Sequence, residues 1–225
     1  AAPVQNSDGT MVSPTPATVA NGDYNPLSRN LFMNLYVGTL EKTSPFLEYG
    51  FSQLGDLAVQ QVGYVPLTSS AKQEMLLRLT GPEINCGPDD ISIAGSSTVL
   101  PLAEAWAEVY DNSCPGISIT VEGGGSSSGA GRVCDNSEKG TPVDIGDMSR
   151  DWKGSERNVQ ANGFVMECLK GDTSRKAAQF IVAFDGLSVV MKKGSAAAAC
   201  ESAMGGFTTD ELRWIFSDMT EAQLT

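Results

Sequence analysis

Histidine is absent from the 225 residues, and with it the commonest general base, proton shuttle and metal ligand. No Ser-His or Cys-His nucleophile can be assembled from this chain. Long apolar runs are missing as well: none reaches the roughly 18 residues that a membrane span requires, so the chain is not expected to be membrane-embedded. Basic residues are scarce, 15 Lys and Arg against 27 Asp and Glu, for a net charge of −12. That balance argues against nucleic acid and anionic membrane as partners. A small anion is not excluded, because a local cluster of N–H dipoles outweighs a distant field that salt screens beyond about 8–10 Å. The five cysteines, Cys86, Cys114, Cys134, Cys168 and Cys200, contain no C-x-x-C pair, which speaks against zinc. With 24 glycines and much Ser, Thr and Asn, they favour a secreted, extracellular or periplasmic chain with one or two disulfides and an odd thiol. Five buried reduced cysteines are the alternative. No signal peptide is recognisable at Ala1; any such segment would lie upstream or have been removed. A hydrophobic content of 41% suffices for one large core or two small ones.

What is present is a repeated local pattern. Residues 91–110, ISIAGSSTVLPLAEAWAEVY, read as a short strand, a small-residue turn and a helix starting near Val99. A strand that empties into a helix N-terminus aims backbone N–H groups at one spot, and that spot attracts anions. EGGGSSSGAGR (122–132) and VDIGDMSR (143–150) have the same character. The candidate donors are therefore Ser97, Thr98 and the backbone of Val99, with Ser96 beside them, then Ser126, Ser127 and Ser128, then Ser149 and Arg150. Each has a plainer reading. Thr98 suits a helix cap, a Gly/Ser turn can simply be flexible, and Ser149-Arg150 can be an N-cap followed by a solvated arginine. Asp144 and Asp147 could accept from a protonated anion or serve as helix-dipole partners; with Asp151 their spacing does not fit a calcium loop. Trp106 and Trp214 are expected in the core.

In chain order, residues 1–26 read as irregular surface chain with turns at Asp8-Gly9 and Asn21-Gly22. A strand is expected over 29–37, a helix N-capped by Ser44 with Pro45 in its first turn, a helix over 56–61, and a helix capped by Ser69 through Leu79. Residues 80–90 read as a linker. Beyond it the pattern predicts strand 91–94, helix 99–110, strand 117–121, a short helix near 129–134, strand 143–145 and a polar helix over 150–161. Residues 180–191 read as a strand pair or bent strand broken at Asp185-Gly186. After an alanine-rich turn, Thr208 and Glu211 form a capping box. Strand-helix alternation of this kind signals a parallel α/β sheet.

The segments AGSSTVLP, GGGSSSGAG, DIGDMSR, FDGLSVVMKKG and FTTDELRWIFSD resemble the periplasmic phosphate-binding proteins of ABC importers, of type II solute-binding fold, in that family's N-terminal order. Residues 22–67 resemble its C-terminal portion, so the order is inverted. The resemblance implies an α/β lobe, a mostly parallel sheet flanked by helices, either circularly permuted or cut from a tandem repeat. Residues 1–80 are then the tail half of the lobe, 81–90 a linker, 91–193 the head half, and 194–225 the start of an incomplete second lobe. It implies phosphate or a similar oxyanion as ligand. In the family the second lobe closes on the anion with an Arg-x-acid-x-Ser-Gly-Thr loop; no such motif occurs here. Some members carry an aspartate where this chain has Ser149, followed by Arg150.

The leading expectation is a noncatalytic oxyanion-binding module without metal or cofactor. The alternative is a structural or assembly module in which self-association or a tandem copy completes the fold. An enzyme, such as a phosphatase, ranks third for want of machinery.

Overall fold

A computed structural model describes residues 1–79 and 86–217. Its elements run β1 (Val4–Gln5), β2 (Met11–Val12), α1 (Pro16–Ala20), β3 (Ser28–Tyr36), α2 (Leu40–Gly50), α3 (Gln53–Gln61), α4 (Ser69–Leu76), β4 (Ile91–Gly95), α5 (Leu100–Ser113), β5 (Ile119–Gly123), α6 (Ser126–Val133), β6 (Ile145–Met148), β7 (Arg157–Val159), β8 (Val165–Cys168), β9 (Lys176–Gly186), α7 (Ala196–Met204) and α8 (Thr209–Ile215). Residues 30–183 form one compact unit; residues 1–29 with the segment from Phe184 onward form another.

The larger unit is organised by a sheet of order β5-β4-β6-β3-β9-β8-β7. The sheet is mixed. β4 runs parallel to β5 and β6, while β3 is antiparallel to β6, and β8 is antiparallel to both β7 and β9. As an inner strand, β3 buries Leu31, Phe32, Met33 and Leu35 on both faces. Trp106 of α5 meets Phe46 of α2 edge-on at 6.2 Å and donates its indole N–H to Gly55 O of α3 at 3.1 Å. A second apolar cluster joins Ala130 and Val133 of α6 to Phe32, Met148, Trp152 and Met166. Asn34, fully buried beside it, accepts from Trp152 Nε1 at 2.7 Å and donates to Gly146 O at 2.8 Å.

Several local expectations are corrected. Pro45 lies inside α2, not in its first turn. α4 is capped by Thr68 and ends at Leu76. The polar helix over 150–161 is replaced by a loop and β7, because Asn162-Gly163 forms a hairpin turn: Asn162 Oδ1 accepts from the Phe164 and Val165 N–H groups, and Gly163 adopts φ +80°. The alanine-rich turn is helix α7, capped by Ser195 and ended by left-handed Gly205. The cysteines pair as Cys86–Cys114 and Cys134–Cys168, leaving Cys200 free and exposed. Residues 80–85 of the expected linker lie outside the described residues.

In the smaller unit β1 pairs antiparallel with β2, and Tyr24 Oη donates to Leu187 O at 2.9 Å. The Thr208/Glu211 capping box is present. Thr208→Ala is expected to cost about 1 kcal/mol of α8 stability, read as faster amide exchange in α8 alone. Trp214 is 54% exposed, contrary to its expected core position. It sits about 200° round the helix from buried Leu212.

Candidate functional site

The three Ser/Gly turns meet at one end of the sheet. β4 ends at Gly95, whose φ of +152° and close approach to Asp147 O exclude a side chain. Ser96 N–H then donates to Asp147 O at 3.1 Å, tying the first turn to β6. Gly125, at φ +85°, donates its N–H to Gly95 O at 2.6 Å, tying the second turn to the first. Ser149 N–H donates to Ser126 Oγ at 3.1 Å, and the two hydroxyls stand 3.4 Å apart, which joins the third turn to the start of α6. Arg150 Nη2 donates to Ser127 Oγ at 3.1 Å. Glycine at 129 and 146 permits this closeness: a Cβ on Gly129 would lie 2.3 Å from Asp147 O, and one on Gly146 2.3 Å from Gly129 O.

Not every expected donor faces outward. Thr98 N–H donates to Ser96 Oγ at 3.2 Å, and the Val99 and Leu100 N–H groups donate to Ser96 O at 3.0 and 2.9 Å. Val99 is fully buried. Ser97 is exposed at the apex, and Thr98 and Ser126 are part-exposed. Ser128 turns its hydroxyl toward Gly124. Arg150 is held by both carboxylate oxygens of Glu156, at 2.8 and 2.9 Å, so its positive charge is already answered. Burial alone would raise the Glu156 pKa, but Arg150 and the Lys153 N–H outweigh it and lower it.

Asp144 and Asp147 take different parts. Asp144 accepts from Ser92 N and Oγ at 2.9 and 2.8 Å and pairs with Lys42 Nζ at 3.1 Å. Burial opposes its ionisation, yet these partners hold its pKa below the ordinary value. Asp147 is fully buried, and neither carboxylate oxygen has a partner. Burial pushes its pKa up to about 7. The Ser96 N–H, which donates to the Asp147 carbonyl, opposes this shift without reversing it. The sequence carried a signal for this: Asp147 follows Ile145 by two, and strand alternation puts both on one face.

Among the described residues no group of three or more cysteines, aspartates or glutamates is placed to hold a metal ion, and no helix is long and apolar enough to cross a membrane.

Residues 80–223, which include all three turns, match the family model described as a PBP superfamily domain. The chain belongs to the PBP superfamily. The chain is 25% identical over 180 residues to phosphate-binding protein PstS 2 of Streptococcus agalactiae, covering 80% of this chain and 49% of that protein. It is 33% identical over 138 residues to protein SphX of Synechococcus elongatus, covering 60% of this chain and 34% of the relative. The chain thus spans half or less of these curated relatives. A crystal structure of a phosphate ABC transporter phosphate-binding protein from Streptococcus pneumoniae matches with a TM-score of 0.65 at 22% identity, over 100% of this chain and 72% of that one. That likeness concerns the fold, an α/β unit with a mixed sheet and flanking helices.

Proposed function

We propose that this PBP-superfamily chain binds phosphate or a similar oxyanion, without catalysis, at the cradle formed by Ser97, Thr98, Val99, Ser126, Ser127, Ser128, Ser149 and Arg150. The observation that carries the reading is the Ser126–Ser149 junction, which brings two turns and the α6 N-terminus to one point. The anion would accept from Ser and Thr hydroxyls and from N–H groups at the start of α6, whose dipole favours negative charge. Because Thr98 and Val99 donate within their own turn, their contribution is to fix the Ser97 apex rather than to supply N–H bonds. The phosphate-binding names of the relatives support this ligand class. The two disulfides support an extracytoplasmic setting.

The order of segments is read here as a tail half, residues 1–80, followed by a head half, residues 91–193, with a second lobe beginning near residue 194. The place of β3 between β6 and β9 supports this, since a strand from the first part is shared with elements of the second.

Calorimetric titration with inorganic phosphate tests the cradle. Ser126→Ala/Ser149→Ala is expected to weaken binding about 10- to 100-fold with the fold retained by circular dichroism. Absence of phosphate heat in the unaltered protein would sink the reading. An assembly role is then favoured by the exposed Trp214, Ile215 and Phe216 at the end of α8, the last 77% exposed. It predicts concentration-dependent oligomers in sedimentation.

A further inference from the structure

Ten of the fifteen lysines and arginines form a side-chain ion pair. Among the described residues, Lys139, Lys153, Lys170, Lys192 and Lys193 do not. Three of these five, Lys139, Lys153 and Lys170, line a single cavity of about 190 Å³ beside α6, with Ser127, Gly131 and Glu156. In a chain with 27 carboxylates and a net charge of −12, three lysines outside any salt bridge gathered at one small hollow call for an explanation. Glu156 lines it and attracts Lys153, but its two oxygens are held by Arg150 and it offsets only part of the lysine charge.

The hollow is built on a fixed frame. The Cys134–Cys168 disulfide ties the end of α6 to the end of β8, two residues before Lys170. Lys139 N–H donates to Asn136 O at 2.8 Å, Glu156 N–H to Lys153 O at 2.9 Å, and Leu169 N–H to Glu156 O at 3.0 Å. The absence of a side chain at residue 131 lets the Lys139 stem lie across α6; a Cβ there would meet Lys139 Cγ at 2.4 Å. All three lysines are exposed and bring positive charge to one hollow, which favours an anion there.

The geometry points to a second anion site, distinct from the Ser/Gly cradle, in which Lys139, Lys153 and Lys170 hold a small inorganic oxyanion of two or more negative charges, of the pyrophosphate class. The volume lies below the roughly 300 Å³ at which pockets for organic ligands begin. Lysine ammonium groups, with three rotatable donors and no planar fork, suit a cluster of tetrahedral oxygens better than a flat carboxylate. The site adjoins the cradle at Ser127, but none of the three lysines belongs to the cradle.

Inorganic pyrophosphate is titrated calorimetrically into the full chain, with amide shifts at residues 139, 153 and 170 followed by NMR. Lys139→Gln/Lys153→Gln/Lys170→Gln is expected to weaken pyrophosphate binding about 30-fold or more while circular dichroism stays unchanged. Lys192→Gln/Lys193→Gln, equal in kind but outside the hollow, and Ser126→Ala/Ser149→Ala should each leave it within about twofold. Unchanged affinity in the triple variant overturns the proposal, as does an absence of pyrophosphate binding in the unaltered protein. Loss in the cradle variant alone also overturns it, assigning the anion to the cradle. Phosphate binding that fails in the cradle variant but survives in the triple variant bears on the cradle reading alone, so the two can fail separately.

Discussion

Asp147→Asn is expected to raise stability at pH 8 by about 2–4 kcal/mol and to remove most of the pH dependence between about pH 4 and 7. The carboxyl is fully buried with both oxygens unpartnered, and burial moves its pKa from 3.8 to about 7. Below about pH 4 the folded and unfolded states both hold the proton, so the group adds no pH slope. Between that value and about 7 only the folded state holds it, and each pH unit lowers stability by about 1.4 kcal/mol. Above about 7 the folded state must carry a buried charge, and the loss is complete. Asparagine cannot ionise and keeps the shape, although its amide inherits a site poor in partners, which limits the gain. Denaturant midpoints at pH 5 and pH 8 measure this. A variant that loses as much stability between the two as the unaltered protein would show that Asp147 is solvated or paired in solution.

Carboxylates with lowered pKa act in the opposite direction and at lower pH. Asp144, held by Ser92 and Lys42, and Glu156, held by Arg150, keep folded-state pKa values below their ordinary ones. Their stabilisation is present above the unfolded pKa and is lost as pH falls through the folded value. Stability should therefore peak on the acidic side of neutrality, between the carboxylates that need their charge and the one that resists it.

The segments that meet at the cradle were legible because each is local: a strand end, small residues and a helix start within about ten positions. The meeting itself was not, since it depends on the Gly95–Gly125 and Ser96–Asp147 backbone bonds between distant segments. Nor did local pattern reveal that the Thr98 and Val99 N–H groups turn back on Ser96. Asp147 was recognised as an acid near a helix start, yet its isolation follows from its place on an inner strand, with β4 and β3 on either side. The hairpin at Asn162-Gly163 was hidden by surrounding polar residues, which fit an exposed helix as well as an edge strand. Periodicity placed Trp106 correctly because α5 is long enough to define a buried face. It misplaced Trp214 because α8 has only seven residues, too few for the pattern to separate core from surface.

Gly129→Ala is expected to destabilise the protein by about 2–4 kcal/mol, reversing the gain that alanine usually brings inside a helix. In an open helix the change favours folding by about 1 kcal/mol. Here the new Cβ would stand 2.3 Å from Asp147 O and 3.2 Å from Ala94 O, and these obstacles are backbone atoms of β6 and β4, inner strands of the sheet. They cannot swing aside as a lysine stem can, so α6 must lift. Lifting α6 draws Ser126 Oγ from Ser149 N–H and Gly125 N–H from Gly95 O, and phosphate affinity should fall with stability. Gly154→Ala, where an added Cβ meets nothing within 4 Å, supplies the comparison and should be nearly neutral. Equal unfolding midpoints for the two variants would mean that α6 does not rest on the strands at Gly129. The close packing that holds two of the three turns together would then need another origin.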